Sequence, residues 1–219
     1  MPNKEIQEYL LRAFPEHTRQ NTVKAVKEGL FLFKDTVDAN PVFKNPARIN
    51  LLGQLQRICI IERIEHSCKV GNLPFTTKSV KMKKGPFSWS EIYSSNICAH
   101  LVRTSSANAF PSNSPNRQDK RVTNQLELPF EDNNNISNAH LPTIMPLYAY
   151  LTFGTTEDEL SHLCWGIPSA NTAEWLGYLD ITKYDIDLDS KKSSSNLAKV
   201  SMQFKESIKA ALKAEGRVE

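Results

Sequence analysis

Two groups of side chains in this sequence are of the kinds that phosphodiester cleavage requires. The first is an acidic run, Asp185-x-Asp187-x-Asp189, preceded by Asp180. Carboxylates at such spacing can hold a magnesium ion, as in a nuclease. An EF-hand loop would need a glycine next and a glutamate further on, and neither is present at the required place. The favoured interpretation is an acidic strand edge, which discourages aggregation.

The second group is His100 and Arg103, followed by two serines. These residues could act as base and phosphate clamp in a metal-independent RNase. On a strand, however, residues three apart point to opposite faces, and a histidine inside an apolar run is typical of a buried structural residue. We therefore favour a non-enzymatic protein, assign no catalytic residue, and keep a nuclease acting on DNA or RNA as the alternative. The candidate residues of that alternative are Lys81, His100, Asp180, Asp185 and Asp187.

A lysine-rich segment, residues 78–84, precedes the aromatic residues Phe87 and Trp89. Lysines can follow a nucleic-acid backbone and aromatic rings can stack on bases, although a solvated protein face explains the same pattern. Residues 76–121 hold eight basic and two acidic residues, a net charge of +6, whereas residues 122–190 hold one basic and eleven acidic residues, a net charge of −10. This asymmetry indicates either separate faces for DNA and another partner or two surfaces that attract each other. The candidate nucleic-acid contacts are Lys78, Lys81, Lys83, Lys84, Arg117, Lys120 and Arg121.

Four cysteines lie far apart in the chain and form no CxxC pair. Zinc sites usually draw on closely spaced ligand pairs, so we predict neither a metal nor a cofactor. Cys59 and Cys98 lie in apolar surroundings, where a buried free thiol is the usual outcome. The cysteines are therefore predicted to be structural.

One linear motif lies within a long polar stretch, residues 104–140, that is rich in serine, asparagine and proline. A loop of this length inside a domain is usually functional or disordered. It contains the sequence Gln125-Leu126-Glu127-Leu128-Pro129-Phe130. These six residues resemble the motif with which bacterial replication and repair proteins bind the DNA polymerase sliding clamp. The resemblance extends to no other part of the chain.

The resemblance implies a role for the main positions of the motif. Leu126, Leu128 and Phe130 match its apolar positions, and the last two would fill a pocket of the clamp. The Gln125 amide would make directional hydrogen bonds. Pro129 would restrict the backbone before binding and so lower the entropy lost on docking.

The same residues also fit an edge strand of the protein itself. Leu126, Leu128 and Phe130 alternate with polar residues, as they would on a half-buried strand. Against this alternative, Pro129 cannot donate a ladder hydrogen bond, and polar residues flank the motif on both sides.

Apolar spacing predicts three helices in the first 68 residues. The first ends at Pro15, the second ends at Asn40-Pro41, and the third begins near Pro46. Their predicted buried positions are Ile6, Leu10 and Phe14; Val23, Val26, Leu30, Phe33 and Val37; and Leu51, Leu52, Leu55, Ile58 and Cys59.

The rest of the chain alternates between strand-like runs and polar connections. Alternation over residues 79–83 and an apolar run over 97–102 predict two strands. Three further runs predict an antiparallel meander with turns at Gly154-Thr155 and Pro168-Ser169, and a terminal helix follows. These runs are residues 147–153, 160–167 and 175–181, and the helix carries Leu197, Val200, Phe204, Ile208 and Leu212. We therefore predict a single α+β domain, residues 1–219, with N-terminal helices, an antiparallel sheet of about five or more strands and a C-terminal helix.

Composition and length set the remaining expectations. A hydrophobic share of 40% and a charged share of 23% are typical of a globular protein. No apolar run approaches the roughly 18 residues of a membrane span, and the polar N-terminus has no signal-peptide core. We therefore expect a cytoplasmic protein without a membrane partner.

These observations together favour a non-enzymatic interaction protein that docks on the bacterial sliding clamp, with DNA as a further candidate partner. A protein in the clamp groove would compete with polymerases and could interfere with DNA replication, as a toxin of a toxin–antitoxin pair or a phage-encoded factor. Two alternatives stay open: the nuclease described above, and a phage anti-defence or immunity protein that binds another protein.

Overall fold

The computed structural model describes residues 4–45, 49–81, 88–94, 96–124 and 146–184. Within these ranges, three helices precede a sheet whose third and fourth strands are separated by a short fourth helix. The helices are α1 (Lys4–Ala13), α2 (Glu16–Ala39), α3 (Ile49–Lys69) and α4 (Pro115–Arg121). The strands are β1 (Thr76–Lys81), β2 (Ser88–Ser94), β3 (Ile97–Arg103), β4 (Leu147–Thr156), β5 (Glu159–Pro168) and β6 (Trp175–Asp180). The α+β class and the N-terminal helices are confirmed, whereas the predicted C-terminal helix lies outside the described residues.

The six strands form one sheet in the order of the chain, β1-β2-β3-β4-β5-β6. All neighbours are antiparallel except β3 and β4, which run parallel from Ile97 opposite Leu147 to Arg103 opposite Phe153. The sheet is therefore mixed, and not wholly antiparallel as the sequence predicted. A parallel pair needs a crossover connection, and residues 104–146 supply it.

The strands β4, β5 and β6 form the predicted meander, but its first turn lies three residues later than expected. Glu157 and Asp158 occupy the turn with φ angles of 51° and 67°. Gly154 instead lies within β4, opposite His162. A Cβ atom at Gly154 would lie 2.0 Å from the His162 ring. The glycine therefore permits close strand packing and does not form the turn.

The helices α1, α2 and α3 cover one side of the sheet, which we call the helical face. Its centre is an aromatic group in which the Phe14 ring stacks on Trp165 at 4.1 Å and Phe75 meets Trp165 edge-on. Apolar residues from the five strands β2 to β6 continue this core. Burial of this surface is the main term that fixes the helices on the sheet.

Two contacts join α2 and α3 closely. A Cβ atom at Gly29 would lie 2.5 Å from the Ile60 Cα, so only glycine allows this approach of the two helices. One turn away, a carboxylate oxygen of Glu28 pairs with the Arg63 guanidinium at 2.5 Å, and both side chains are largely buried. Gly29 inside α2 is thus required by packing.

The buried face of α3 differs from the predicted one. Cys59, Ile60 and Ile64 are fully buried, whereas Leu51 is 44% exposed and Ile58 is 54% exposed. The prediction failed because residues 58–61 are all apolar, so spacing alone did not determine which of them faces the core. Ile58 instead lines a cavity described below.

The polar stretch 104–140 also contains more structure than its composition indicated. Residues 104–124 are described and include α4, whose seven residues are all polar or proline. A helix without apolar residues gives no periodic signal, which explains why the sequence did not reveal it. None of the described helices is apolar over the length that a bilayer crossing requires.

Candidate functional site

The side of the sheet opposite the helices, here called the polar face, is organised around a buried carboxylate. Glu91 on β2 is 1% exposed and lies directly opposite His100 on β3. The Glu91 carboxylate accepts hydrogen bonds from Trp89 Nε1 at 3.1 Å and from the Tyr93 hydroxyl, and it contacts Cys98 Sγ at 3.8 Å. It also accepts from His100 Nε2 at 3.3 Å and pairs with Lys120 Nζ at 3.1 Å.

These contacts fix the ionisation state of the Glu91 group. The hydrogen bond from His100, followed by those from Tyr93, Trp89 and Lys120, lowers the pKa of Glu91 well below its ordinary value. Burial, then the hydrogen bond to Glu91, raises the pKa of Tyr93 well above its ordinary value. At neutral pH the site therefore holds one carboxylate that accepts hydrogen bonds from neutral and cationic donors.

His100 links this carboxylate to β4. Its Nδ1 lies 2.6 Å from the Tyr148 hydroxyl, and its Nε2 faces Glu91. Because an ionised carboxylate only accepts hydrogen bonds, Nε2 carries the proton and Nδ1 accepts from Tyr148. Burial lowers the pKa of His100 and raises that of Tyr148, so the ring stays neutral and the phenol keeps its proton. Both ring nitrogens are thus occupied, which favours an orienting role over a general base.

The residues of the nuclease alternative do not come together where they are described. His100 contacts Glu91 in the interior of the sheet, whereas Arg103 donates to Thr155 at an exposed position, so the two side chains have different partners. Lys81 lies on β1 and Asp180 on β6, at opposite edges of the sheet.

Asp180 is the one carboxylate of the acidic group that lies in the described part of the chain. Asp180 accepts hydrogen bonds from the backbone nitrogen and hydroxyl of Thr182, at 2.9 and 2.6 Å, and so caps a 3-10 helix, Thr182–Tyr184. Asp185, Asp187 and Asp189 lie outside the described residues. In the part of the chain that the structure describes, no three His, Cys, Asp or Glu side chains are grouped so as to hold a metal ion.

Three polar anchors hold α4 and the 3-10 turn after it, Val122–Asn124, against the polar face. The first is the Lys120–Glu91 pair. The second is Arg121, which is 4% exposed and donates to the carbonyl oxygens of Ser169, at 2.7 Å, and of Thr172. Residue Arg121 therefore lies inside the protein and not on a basic surface.

The third anchor is Asn124, the last described residue before the clamp-like motif. Its amide nitrogen donates to the carbonyl oxygens of Tyr148 and Pro168, at 2.8 and 2.9 Å. Its amide oxygen accepts from the Tyr148 backbone nitrogen at 2.7 Å. All three partners are buried backbone groups of the sheet, so Asn124 is fixed in position from both ends of its amide.

A cavity of about 760 Å³ opens where β2 and β3 separate. The ladder between these strands comprises the four pairs from Glu91–His100 to Ser94–Ile97, although β2 begins at Ser88 and β3 continues to Arg103. The unpaired ends diverge, and α3 and the start of α4 approach the gap from the two sides. The lining residues are Gln54, Arg57, Ile58, Ile61, Glu62, Glu65, Ser88, Trp89, Ser90, His100, Leu101, Val102, Ser114, Asn116 and Arg117.

Charges of opposite sign lie at different places along the cavity. Partial burial, followed by the nearby positive charge of Arg117, lowers the pKa of Arg57. Burial, followed by the negative charge of Glu62, raises the pKa of Glu65. Arg117 donates through Nε to the Ser114 hydroxyl at 3.0 Å.

The predicted nucleic-acid contacts are dispersed among these features. Lys78 and Lys81 are exposed on the edge strand β1, and Lys78 lies over the Tyr93 ring at 4.9 Å. Arg117 lines the cavity, Lys120 is paired with Glu91, and Lys83 and Lys84 lie outside the described residues. The described lysines and arginines therefore do not form a single stripe along the sheet.

The clamp-like motif itself, Gln125–Phe130, lies outside the described residues. Four residues of the site were not predicted from the sequence, namely Glu91, Asn124, Tyr148 and Arg57. One of them had a visible signal: Trp89-x-Glu91-x-Tyr93 places an acid between two aromatic donors on one face of a strand. The other three act through contacts with residues more than 20 positions away, for which a single sequence gives no pattern.

No known protein family, curated protein or solved structure matches the chain.

Proposed function

We propose that this protein binds the bacterial DNA polymerase sliding clamp through residues Gln125–Phe130. The observation that carries the proposal is the position of the motif, which begins at the residue directly after Asn124. Asn124 is locked to the backbone of β4 and β5 by three hydrogen bonds. A binding segment that starts from a fixed residue loses less entropy on docking than one attached to a mobile tether.

The return of the chain supports the same proposal. Residue Tyr148, whose backbone carbonyl and N–H make two of the three Asn124 bonds, lies only two residues after the first described residue beyond the motif, Pro146. The two ends of the intervening segment are therefore held together at one place on the polar face. Closing such a segment costs chain entropy that grows only slowly with its length, and the buried Asn124 contacts offset that cost.

Occupation of the clamp groove gives the protein its proposed effect. Polymerases and repair proteins use short motifs of the same kind, so a protein that holds the groove competes with them. Competition alone interferes with DNA replication, which is the activity expected of a toxin or a phage-encoded factor. No catalytic group in the protein is needed for this effect.

A titration of purified clamp with the full-length protein tests the proposal. We expect saturable binding that falls at least roughly tenfold in Leu128→Ala/Phe130→Ala, because each apolar anchor contributes about 1.5–3 kcal/mol when buried. Gln125→Ala should weaken binding by a smaller factor through the lost hydrogen bonds. Asn134→Ala, in the same segment but outside the motif, is the matched control and should bind as the parent does. Equal affinity of the parent and the double variant for the clamp, at equal thermal stability, would contradict the proposal.

The two alternatives give different results in the same set of proteins. Magnesium-dependent cleavage of DNA or RNA that Asp187→Ala abolishes would favour the nuclease. An anti-defence or immunity protein would bind neither the clamp nor DNA, and its partner would have to be another protein.

A further inference from the structure

We infer that the cavity between the diverging ends of β2 and β3 binds a nucleotide unit, meaning a phosphate ester joined to a planar base. The inference does not depend on the clamp-like motif. The shape of the cavity, its charged groups and its aromatic wall carry the inference.

The gap in the sheet provides the space. Ser88–Ser90 pair only with β1, and Leu101–Arg103 pair only with β4, so the facing edges of these segments have no ladder partner in each other. Backbone groups on such edges can hydrogen-bond a ligand. A volume of about 760 Å³ lies within the range of pockets that hold small ligands and cofactors.

The phosphate would lie between Arg57 and Arg117. These two arginines line the cavity from different helices, α3 and α4, so the fold and not local sequence brings their like charges together. No carboxylate among the described residues is paired with either guanidinium within salt-bridge distance. Ser114 and Asn116 add polar groups at the same end. Two guanidinium groups with no acidic partner in the described part of the chain favour an anion, and their planar forks suit phosphate oxygens.

The opposite end of the cavity suits the sugar or the base. Glu62 and Glu65 line it, and Glu65 lies eight residues after Arg57 on α3, a separation of about 12 Å along the helix axis. That length is comparable to a nucleoside monophosphate. Carboxylates accept hydrogen bonds from ribose hydroxyl groups or from an exocyclic amino group. A ligand with negative charge at both ends would be disfavoured by the acidic end.

The walls between the two ends are aromatic and apolar. Trp89 is half-buried, its indole nitrogen is fixed by Glu91, and its ring lies 6.0 Å from His100 in an edge-on arrangement. An indole held in this way offers a stacking surface without further loss of side-chain freedom on binding. On the α3 side, the large apolar residue Ile58 lines the cavity and is about half exposed. Contact with a planar base would cover it.

The contacts of Glu91 hold two parts of the cavity in position. Glu91 positions the Trp89 indole directly, and its ion pair with Lys120 fixes α4, the helix that carries Arg117. The polar face thus supports one wall and one charged group of the cavity at once. Glu91 is here a positioning residue.

Calorimetric titration of the full-length protein with adenosine monophosphate (AMP) tests the inference. We expect saturable binding that weakens at least roughly tenfold in Arg57→Gln and in Arg117→Gln, since each loses a charge-assisted contact with the phosphate. Arg12→Gln is the matched control, because Arg12 is exposed on α1, which packs against β6 at the far edge of the sheet. Its affinity should equal that of the parent, and circular dichroism should show all three variants folded.

Further ligands separate the parts of the inference and the source of the nucleotide. Adenosine and inorganic phosphate should each bind at least roughly tenfold more weakly than AMP, because each lacks one of the two recognised groups. Stronger binding of a single-stranded oligonucleotide than of AMP, still weakened by Arg57→Gln, would identify nucleic acid as the source and support the site. The inference fails if neither AMP nor the oligonucleotide binds with a dissociation constant below about 1 mM. It also fails if Arg57→Gln and Arg12→Gln bind AMP with equal affinity.

Discussion

The two faces of the sheet are stabilised by different physical means. On the helical face, Phe14, Phe75 and Trp165 pack as rings with no polar contact between them. On the polar face, directional hydrogen bonds and an ion pair hold the buried residues Glu91 and His100. Apolar packing fixes how tightly layers associate, whereas directional bonds fix which group lies at which place. The polar face is accordingly the one that positions α4, Asn124 and the cavity.

The largest expected effect comes from breaking the helical face at its centre. Trp165 is 1% exposed and stacks on Phe14, so Trp165→Ala should lower the free energy of unfolding by about 3–5 kcal/mol. Urea denaturation followed by circular dichroism measures this change. Trp165→Phe keeps an aromatic ring and removes an indole N–H that has no partner among the described residues. We expect that control to cost less than about 1.5 kcal/mol, and equal costs for the two variants would contradict the stacking argument.

A smaller effect is expected from neutralising the centre of the polar face. Glu91→Gln removes the charge that Lys120, Tyr93 and His100 contact, and we expect a loss of about 2 kcal/mol in the free energy of unfolding. Glu159→Gln makes the same chemical change at an exposed position of β5 and should change stability by less than about 0.5 kcal/mol. If both variants lowered the free energy of unfolding by the same amount, directional contacts with Glu91 would not be what stabilises the polar face.

The polar face should also make stability depend on pH. The pKa of Glu91 is lowered below 4.5, chiefly by the hydrogen bond from His100, so its contribution is present above pH 4.5 and lost as pH falls through the folded pKa. The pKa of His100 is lowered below 6.5 by burial, so the folded state also loses stability as pH falls from 6.5. Urea denaturation over a pH series should show both declines in the parent. In Glu91→Gln the decline in the free energy of unfolding below pH 4.5 should be smaller than in the parent. Parallel curves of stability against pH for the two proteins would contradict the assignment of this decline to Glu91.

The sequence predicted the helical face better than the polar face for a physical reason. Apolar periodicity reports which side of an element meets a core, and it located α1, α2 and the meander correctly. It failed at Ile58 because four consecutive apolar residues leave the helix face undetermined. It also gave no sign of α4, whose position depends on Lys120 and Arg121 meeting distant partners.

The candidate site was least accessible from the sequence. The parallel pairing of β3 with β4 brings His100 next to Tyr148, 48 positions later, and no local pattern encodes that contact. Arg57 and Arg117 likewise meet only because α3 and α4 approach the same gap in the sheet. The clamp-like motif is the opposite case, since its function would reside in six adjacent residues and can be recognised without a fold.

The smallest expected effect concerns how closely the helical face is packed. Gly53 and Gly29 both lie inside helices, but a Cβ atom at Gly53 meets nothing within 4 Å, whereas one at Gly29 would lie 2.5 Å from the Ile60 Cα. Gly53→Ala should therefore raise the free energy of unfolding by about 0.5–1 kcal/mol through helix propensity alone. Gly29→Ala gains the same propensity but must push α2 away from α3, so it should lower stability overall. Thermal and urea denaturation of the two variants measure the difference, and a stabilising Gly29→Ala would show that the helices do not need this close contact.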